Sequence, residues 1–347
     1  MIRILLLLLL PVMAQAETLR IATFNTELNR DGPGLLLRDI RRGDPQVQAV
    51  VDVLVAARPD IVSLQGIDWD MDGQALTALV DLLRTAGLDY PHHFAAQPNA
   101  GLETALDLNG DGRTHGPADA QGWGRFTGQG GLAVLSRHPI RTDTVQQFTD
   151  LLWRDLPGAQ LPVTEDGPFP SEQAQRIQRL SAVAHWIVPV DTPVGSLDLM
   201  TFHAAPPVFD GPEDRNGLRN RDEIRLWSAV LDGKLGHRPQ GPFVIAGDAN
   251  LDPTRGDGRK EAIQALLADP RLQDPHADQP LESQTTVVWK AVGEMRVDYV
   301  LPSADLQVTA AGVFWPKPGT PLRIAAEQAS RHRLVWVDIA APKQLSH

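Results

Sequence analysis

The chain has 347 residues, 42% of them apolar, with 32 Lys and Arg against 43 Asp and Glu and no cysteine. That length and apolar share can fill a sizeable core and exclude a mostly disordered chain; without cysteine, stability has to come from the core and from bound metal. A formal net charge of -11 repels polyanions at long range and weighs against a long nucleic acid as partner.

Met1-Ile-Arg3, the apolar run Ile4 to Leu10 and the segment Pro11 to Ala16 ending Ala14-Gln15-Ala16 have the layout of a cleavable export signal. Residues 1–16 are expected to be removed, leaving a chain that begins at Glu17 and is periplasmic or extracellular. The apolar run falls short of the roughly 20 residues needed to span a bilayer, and no later segment is long and apolar enough to do so. Strand-like runs follow at Leu19-Phe24, Ile61-Ile67, Leu132-Ser136, Ala182-Val190, Leu197-His203, Phe243-Ala246, Val297-Leu301 and Leu334-Ile339. Helical patterns cover Gln46-Ala57, Ala75-Ala86, Asn220-Leu231 and Lys260-Leu267. Pro98 to Gly130 and Leu156 to Gln173 are long excursions, which in a compact domain are commonly functional or metal-stabilised. With no dividing linker, residues 17–347 are read as one domain and the protein as a monomer.

The stretch Phe243-Val-Ile-Ala-Gly-Asp248-Ala-Asn250 is an apolar strand ending in a glycine turn that bears an acid and an amide. Such a turn delivers both side chains to the rim of a sheet, and two positions apart on extended backbone they share a face. The plain alternative is an Asx turn after a strand. His203 closes the run Leu197-Phe202 before a proline-rich loop, and alone it reads as a surface histidine. Asp298, in Arg296-Val-Asp298-Tyr, and His332 near the C-terminus supply a second carboxylate and a second imidazole; the plain alternative for Asp298 is an ion pair with Arg296.

Phe24-Asn25, Thr201-Phe-His203, the Asp248 turn, Arg296-Val-Asp298-Tyr and His332 stand in the chain order of the endonuclease/exonuclease/phosphatase superfamily, the metal-dependent phosphohydrolases that include DNase I-like enzymes. Nearly the whole chain after the signal resembles it. Periodicity alone allows α/β or α+β; the resemblance implies α/β, a four-layer α/β/β/α sandwich of two packed mixed sheets flanked by helices. It implies that Asp248 orients or deprotonates the attacking water and Asn250 donates to water or phosphate. His203 would donate to a phosphoryl oxygen or the leaving group, and Asp298 would hold the tautomer of His332.

Where the family carries Leu-Gln-Glu, whose glutamate is the principal metal ligand, this chain reads Leu64-Gln65-Gly66, and the usual aspartate before the final histidine is Arg331. Asp68 and Asp70 follow Gly66, and Glu27 stands two residues after Asn25. Asn25, Glu27 and Asp68 are therefore the expected oxygen ligands for Mg2+ or Mn2+. Arg331 is the alternative source of positive charge at the phosphate, and Arg219, with Arg215, a further candidate for phosphate contact. Asp107-Leu-Asn109-Gly-Asp111-Gly112 has the opening of an EF-hand loop, although its twelfth position is Ala118, and is read as a structural Ca2+ site. A small phosphoester or a lipid head group is favoured as substrate over long nucleic acid. Trp69, Trp123, Trp153 and Trp315 are candidates for lipid contact, with core packing as the alternative. A catalytically silent binding protein is the competing reading.

Overall fold

A computed structural model describes residues 18–340 except 194 and 237, so the expected export signal, residues 1–16, lies outside the described residues. The first half of the chain forms β1 (Thr18–Leu28), α1 (Leu35–Arg42), α2 (Pro45–Ala57), β2 (Ile61–Ile67), α3 (Gln74–Thr85), β3 (His92–Ala95), β4 (Gly131–Ser136), β5 (Gln146–Gln147), β6 (Val163–Thr164), β7 (Gly167–Pro168) and α4 (Glu172–Ile177). The second half forms β8 (His185–Thr192), β9 (Gly195–His203), α5 (Arg215–Leu231), β10 (Phe243–Asp248), α6 (Glu261–Leu267), α7 (Leu281–Gln284) and β11 (Val287–Trp289). It ends in β12 (Gly293–Met295), β13 (Asp298–Pro302), β14 (Val308–Val313), α8 (Pro321–Ala329) and β15 (Val335–Ala340).

Six strands make one sheet in the order β14-β15-β1-β2-β4-β3, and five make the other, β13-β10-β9-β8-β5. Both are mixed, and each has one parallel pair at its middle: β1 with β2, and β9 with β10. Alternation along the strands builds three apolar layers. Ala22, Phe24, Val62 and Leu64 face α2, α3 and α8. Met200, Phe202, Ile245 and Leu301 face α5 and α6. Ile21, Ile61, Trp186, Leu199, Val244 and Val337 meet between the sheets. The resulting order is helix, sheet, sheet, helix, as expected for the four-layer sandwich.

The inner face changes character along the parallel pairs. It begins apolar with Ile21, Ile61, Leu199 and Val244 and turns polar at Thr23, Ser63, Gln65 and Thr201, all fully buried. Thr23 donates to Gln65 Oε1 at 3.0 Å, the Gln65 amide donates to Ser63 Oγ at 2.7 Å, and Ser63 meets Thr201 across the gap between sheets. A buried polar group needs such a partner. Beyond this seam the next inward positions are Asn25, His203 and Asp248, at the carboxyl ends of β1, β9 and β10.

Candidate active site

Asn25 donates from Nδ2 to Asp248 Oδ2 at 2.8 Å. His203 Nε2 lies 3.5 Å and His332 Nδ1 3.8 Å from that same oxygen. His332 Nδ1 is closer to Asp298, at 2.9 Å from Oδ2, so the ring's other nitrogen, Nε2, is the one left to face a substrate. Asp248 and Asp298 pair across β10 and β13, and both are fully buried. The structure thus brings Asn25, His203, Asp248, Asn250, Asp298 and His332 together. Arg296 is not the partner of Asp298; it pairs with Asp274 at 2.6 Å.

Asp248 also closes the Asx turn that was the plain alternative, since its Oδ1 accepts the Asn250 backbone N–H at 2.7 Å. Turn and site are one object here. Asn250 has φ 50 and donates its side-chain amide to the Ala204 carbonyl at 2.9 Å. Glu27, at the bulge where β1 leaves β2, has φ 49. Left-handed backbone at a non-glycine residue costs on the order of 1 kcal/mol and concentrates at functional sites.

Buried charge sets the electrostatics. Burial opposes a positive His332, but Asp298 and Asp248 outweigh it and lift the imidazole to about 9. Burial, and then the neighbouring Asp298, raises Asp248. His203 is lowered, by burial first, against the pull of Asp248. At neutral pH the site therefore presents a protonated His332 and a neutral His203 on either side of the Asp248 carboxyl group, whose proton affinity burial raises, a set able to orient a water and to hold or move a proton.

Other predicted site residues stand apart from this cluster. Asp68 does not join Asn25: its oxygens accept the Arg30 and Gly130 backbone N–H groups, each at 2.9 Å. Asp70 caps α3 by accepting from Gln74 N and Ala75 N. Arg219, expected at the phosphate, is buried and donates to the carbonyls of Leu180 (2.8 Å), Gln121 (2.5 Å), Arg179 (2.9 Å) and Ser181 (3.2 Å). These bonds fasten α5 to the preceding chain. Arg215 likewise donates to the Leu108 carbonyl.

In the loop read as a calcium site the side-chain oxygens accept amides of the loop itself. Asp107 accepts from the amides of Asn109, Gly110 and Gly112, Asn109 from Asp111 N, and Asp111 from Arg113 N. Trp153 is a core residue whose Nε1 donates to Asp222 at 2.8 Å, and Trp315 is sandwiched between the guanidinium groups of Arg323 and Arg333. Trp69 is half-buried, while Trp123 is exposed.

Glu27 and Arg331, expected at the metal and the phosphate respectively, are hydrogen-bonded to each other. Arg331 donates from Nε to Glu27 Oε1 at 2.7 Å and from its backbone N–H to Oε2 at 2.8 Å, and its Nη2 also reaches Oε1. Burial opposes ionisation of Glu27, but the Arg331 bonds pull its pKa below the usual carboxylate range. Two residues that sequence reasoning missed frame the site. Ser330 Oγ lies 2.7 Å from the Asn25 carbonyl oxygen and accepts from His332 N at 3.0 Å, and Thr286 Oγ1 receives the amides of Val297 and Asp298.

The usual glutamate position does not fit a divalent cation. Gly66 has no donor atom, and a Cβ there would fall 2.6 Å from Asn25 Oδ1, while the oxygens of Glu27 and Asp68 are already hydrogen-bonded. Asp248, Asp298 and His332 each offer a ligand atom, all within 4.8 Å of one another; among the described residues this is the group that could hold a metal ion.

A model of the Endonuclease/Exonuclease/phosphatase family matches residues 22–332. No curated protein matches the chain. Among solved structures, an endonuclease/exonuclease/phosphatase from Beutenbergia cavernae aligns with TM-score 0.56 and 21% identity over 93% of this chain and 72% of that one. A family protein from Leptotrichia buccalis aligns with TM-score 0.53 and 12% identity, covering 93% and 99%. The human Nocturnin catalytic domain with bound sulfate anion aligns with TM-score 0.51 and 15% identity, covering 94% of each. At these identities the likeness is one of fold.

Proposed function

The chain belongs to the Endonuclease/Exonuclease/phosphatase family, whose members are metal-dependent phosphoester hydrolases, and from that premise we propose that it is exported and cleaves a small or lipid-linked phosphoester by activated water. The observation that carries this reading is the Asn25–Asp248 and Asp298–His332 hydrogen-bonded set, closed over His203 at the meeting of the sheets. Asp248, held by Asn25, orients the attacking water. His332, held through Nδ1 by Asp298, faces the phosphoryl group with Nε2 and sets positive charge where negative charge develops. His203 lies on the other side of Asp248, placed to serve the leaving group. A divalent cation at Asp248, Asp298 and His332 would need the His332 ring neutral, so it would replace the imidazolium rather than add to it, and would supply Lewis-acid polarisation of the phosphoryl oxygen in its place.

Two features support the substrate class. The net charge of -11 disfavours a long polyanion. Phe209, on the loop that follows His203, is 88% exposed, suited to an apolar tail beside a head group. Activity against bis-p-nitrophenyl phosphate, sphingomyelin and DNA, with and without EDTA, tests the reading. We expect turnover of the first two, reduced on the order of a hundredfold or more by His332→Ala or Asp248→Asn. Equal turnover by those variants would refute the assignment. The second reading, a silent binding protein, is favoured by the Glu27–Arg331 pair, and wild type inert with Mg2+, Mn2+ and Ca2+ would establish it.

A further inference from the structure

We propose that the guanidinium of Arg331, rather than a divalent cation, receives the substrate's phosphoryl oxygens at the Glu27 corner of the cleft. This rests on the phosphoester reading above. Glu27 engages one side of the guanidinium, Nε and Nη2, through a single oxygen, while its second oxygen takes the Arg331 backbone N–H. Nη1 donates no hydrogen bond among the described residues, and the Arg331 side chain is 65% exposed. That free edge is planar, fixed in orientation and always charged, the geometry that pairs bidentately with phosphate.

The corner adjoins the reacting groups. Ser330 Oγ lies 3.1 Å from Glu27 Oε2 and accepts the His332 backbone N–H at 3.0 Å. Glu27 is itself fixed, since its backbone N–H donates to Asn25 Oδ1 at 3.2 Å. A hard cation would need several oxygens here. What it would find is one carboxylate already paired, a glycine at position 66 and an amide oxygen already accepting a hydrogen bond. One fixed positive charge supplied by the chain stands in for one drawn from solution.

Calorimetric titration with inorganic phosphate tests this in wild type, Arg331→Ala, Arg331→Lys and the double variant Glu27→Gln/Arg331→Ala, each in EDTA and in excess Mg2+. The double variant removes the unpaired carboxylate that the single one leaves, so a folding defect is separated from lost binding. We expect wild-type affinity to be the same in both buffers. Both alanine variants should lose about tenfold or more, the worth of a charge-assisted bidentate contact, and Arg331→Lys part of that. Affinity that collapses in EDTA, or that neither alanine variant weakens, would overturn the proposal. Hydrolysis of bis-p-nitrophenyl phosphate in the same samples separates the two ideas. A wild type that binds phosphate through Arg331 without turnover sinks the hydrolase reading alone; one that turns over while the alanine variants bind phosphate as well as wild type sinks this one alone.

Discussion

Replacing Gly66 by alanine probes why the corner beside Glu27 takes the form it does. The residue has φ +69, and an added Cβ would lie 2.6 Å from Asn25 Oδ1 and 3.0 Å from the Glu27 amide nitrogen. Left-handed backbone costs an L side chain about 1–2 kcal/mol. Relief of the contact requires the Asn25 amide to turn away from Asp248, forfeiting a hydrogen bond worth about 0.5–1.5 kcal/mol. The two together predict a loss of about 1.5–3.5 kcal/mol. Gly43→Ala is the control, because Gly43 has φ +70 with nothing within 4 Å of the added carbon and bears the backbone cost alone. Urea unfolding followed by tryptophan fluorescence gives both values. Equal losses would refute the reasoning, since the Asn25 contact would then contribute nothing. The same geometry predicts that Gly66→Glu fails to rebuild a metal ligand: the new side chain starts inside the space of Asn25.

Arg219→Ala should destabilise by about 3 kcal/mol or more, by leaving buried carbonyls without a donor, and should leave the KM of any phosphoester substrate within twofold; a KM rise without loss of stability would restore Arg219 to the phosphate. Because the carboxylates of Asp107 and Asp111 already accept amides of their own loop, millimolar Ca2+ should raise the Tm of wild type no more than that of Asp107→Ala/Asp111→Ala, and a calcium shift confined to wild type would contradict this. Burial pushes the Glu223 carboxyl up to about 7 against the pull of Arg219 and two backbone amides. A raised pKa means that the stability it contributes is complete below the unfolded value near 4.5 and is lost as pH rises to about 7. The urea midpoint should therefore fall across that window in wild type, and less steeply in Glu223→Gln; parallel profiles would count against it.

The inner strands were legible because burial on both faces makes them continuous apolar runs, and β2 spans the predicted Ile61–Ile67. β14 escaped notice: Val-Thr-Ala-Ala-Gly-Val is a half-exposed edge without alternation. α8 escaped too, its buried face being only Ala325, Ala326 and Ala329. In the site, Asp248, Asp298, His203 and His332 each mark where an apolar run meets polar residues, which is visible locally. The Glu27–Arg331 pair is not, because its members stand 304 residues apart and meet only through the pairing of β1 with β15. Arg219 misled for a related reason. A charged helix reads as solvated, yet α5 is buried along most of its length between the second sheet and the earlier loops, so its charges had to find partners inside.

The seam between the sheets has a consequence for assembly. Asn25 belongs to one sheet and Asp248 to the other, 223 residues later, and the polar latch Ser63–Thr201 joins the same two halves. Neither half holds a working set of groups by itself. Chemical competence therefore arrives only when the halves dock, after the long chain closure that makes such contacts slow to form. A partly folded chain, one sheet complete and the other still open, is inert, and recovery of turnover after dilution from denaturant becomes a direct clock for docking.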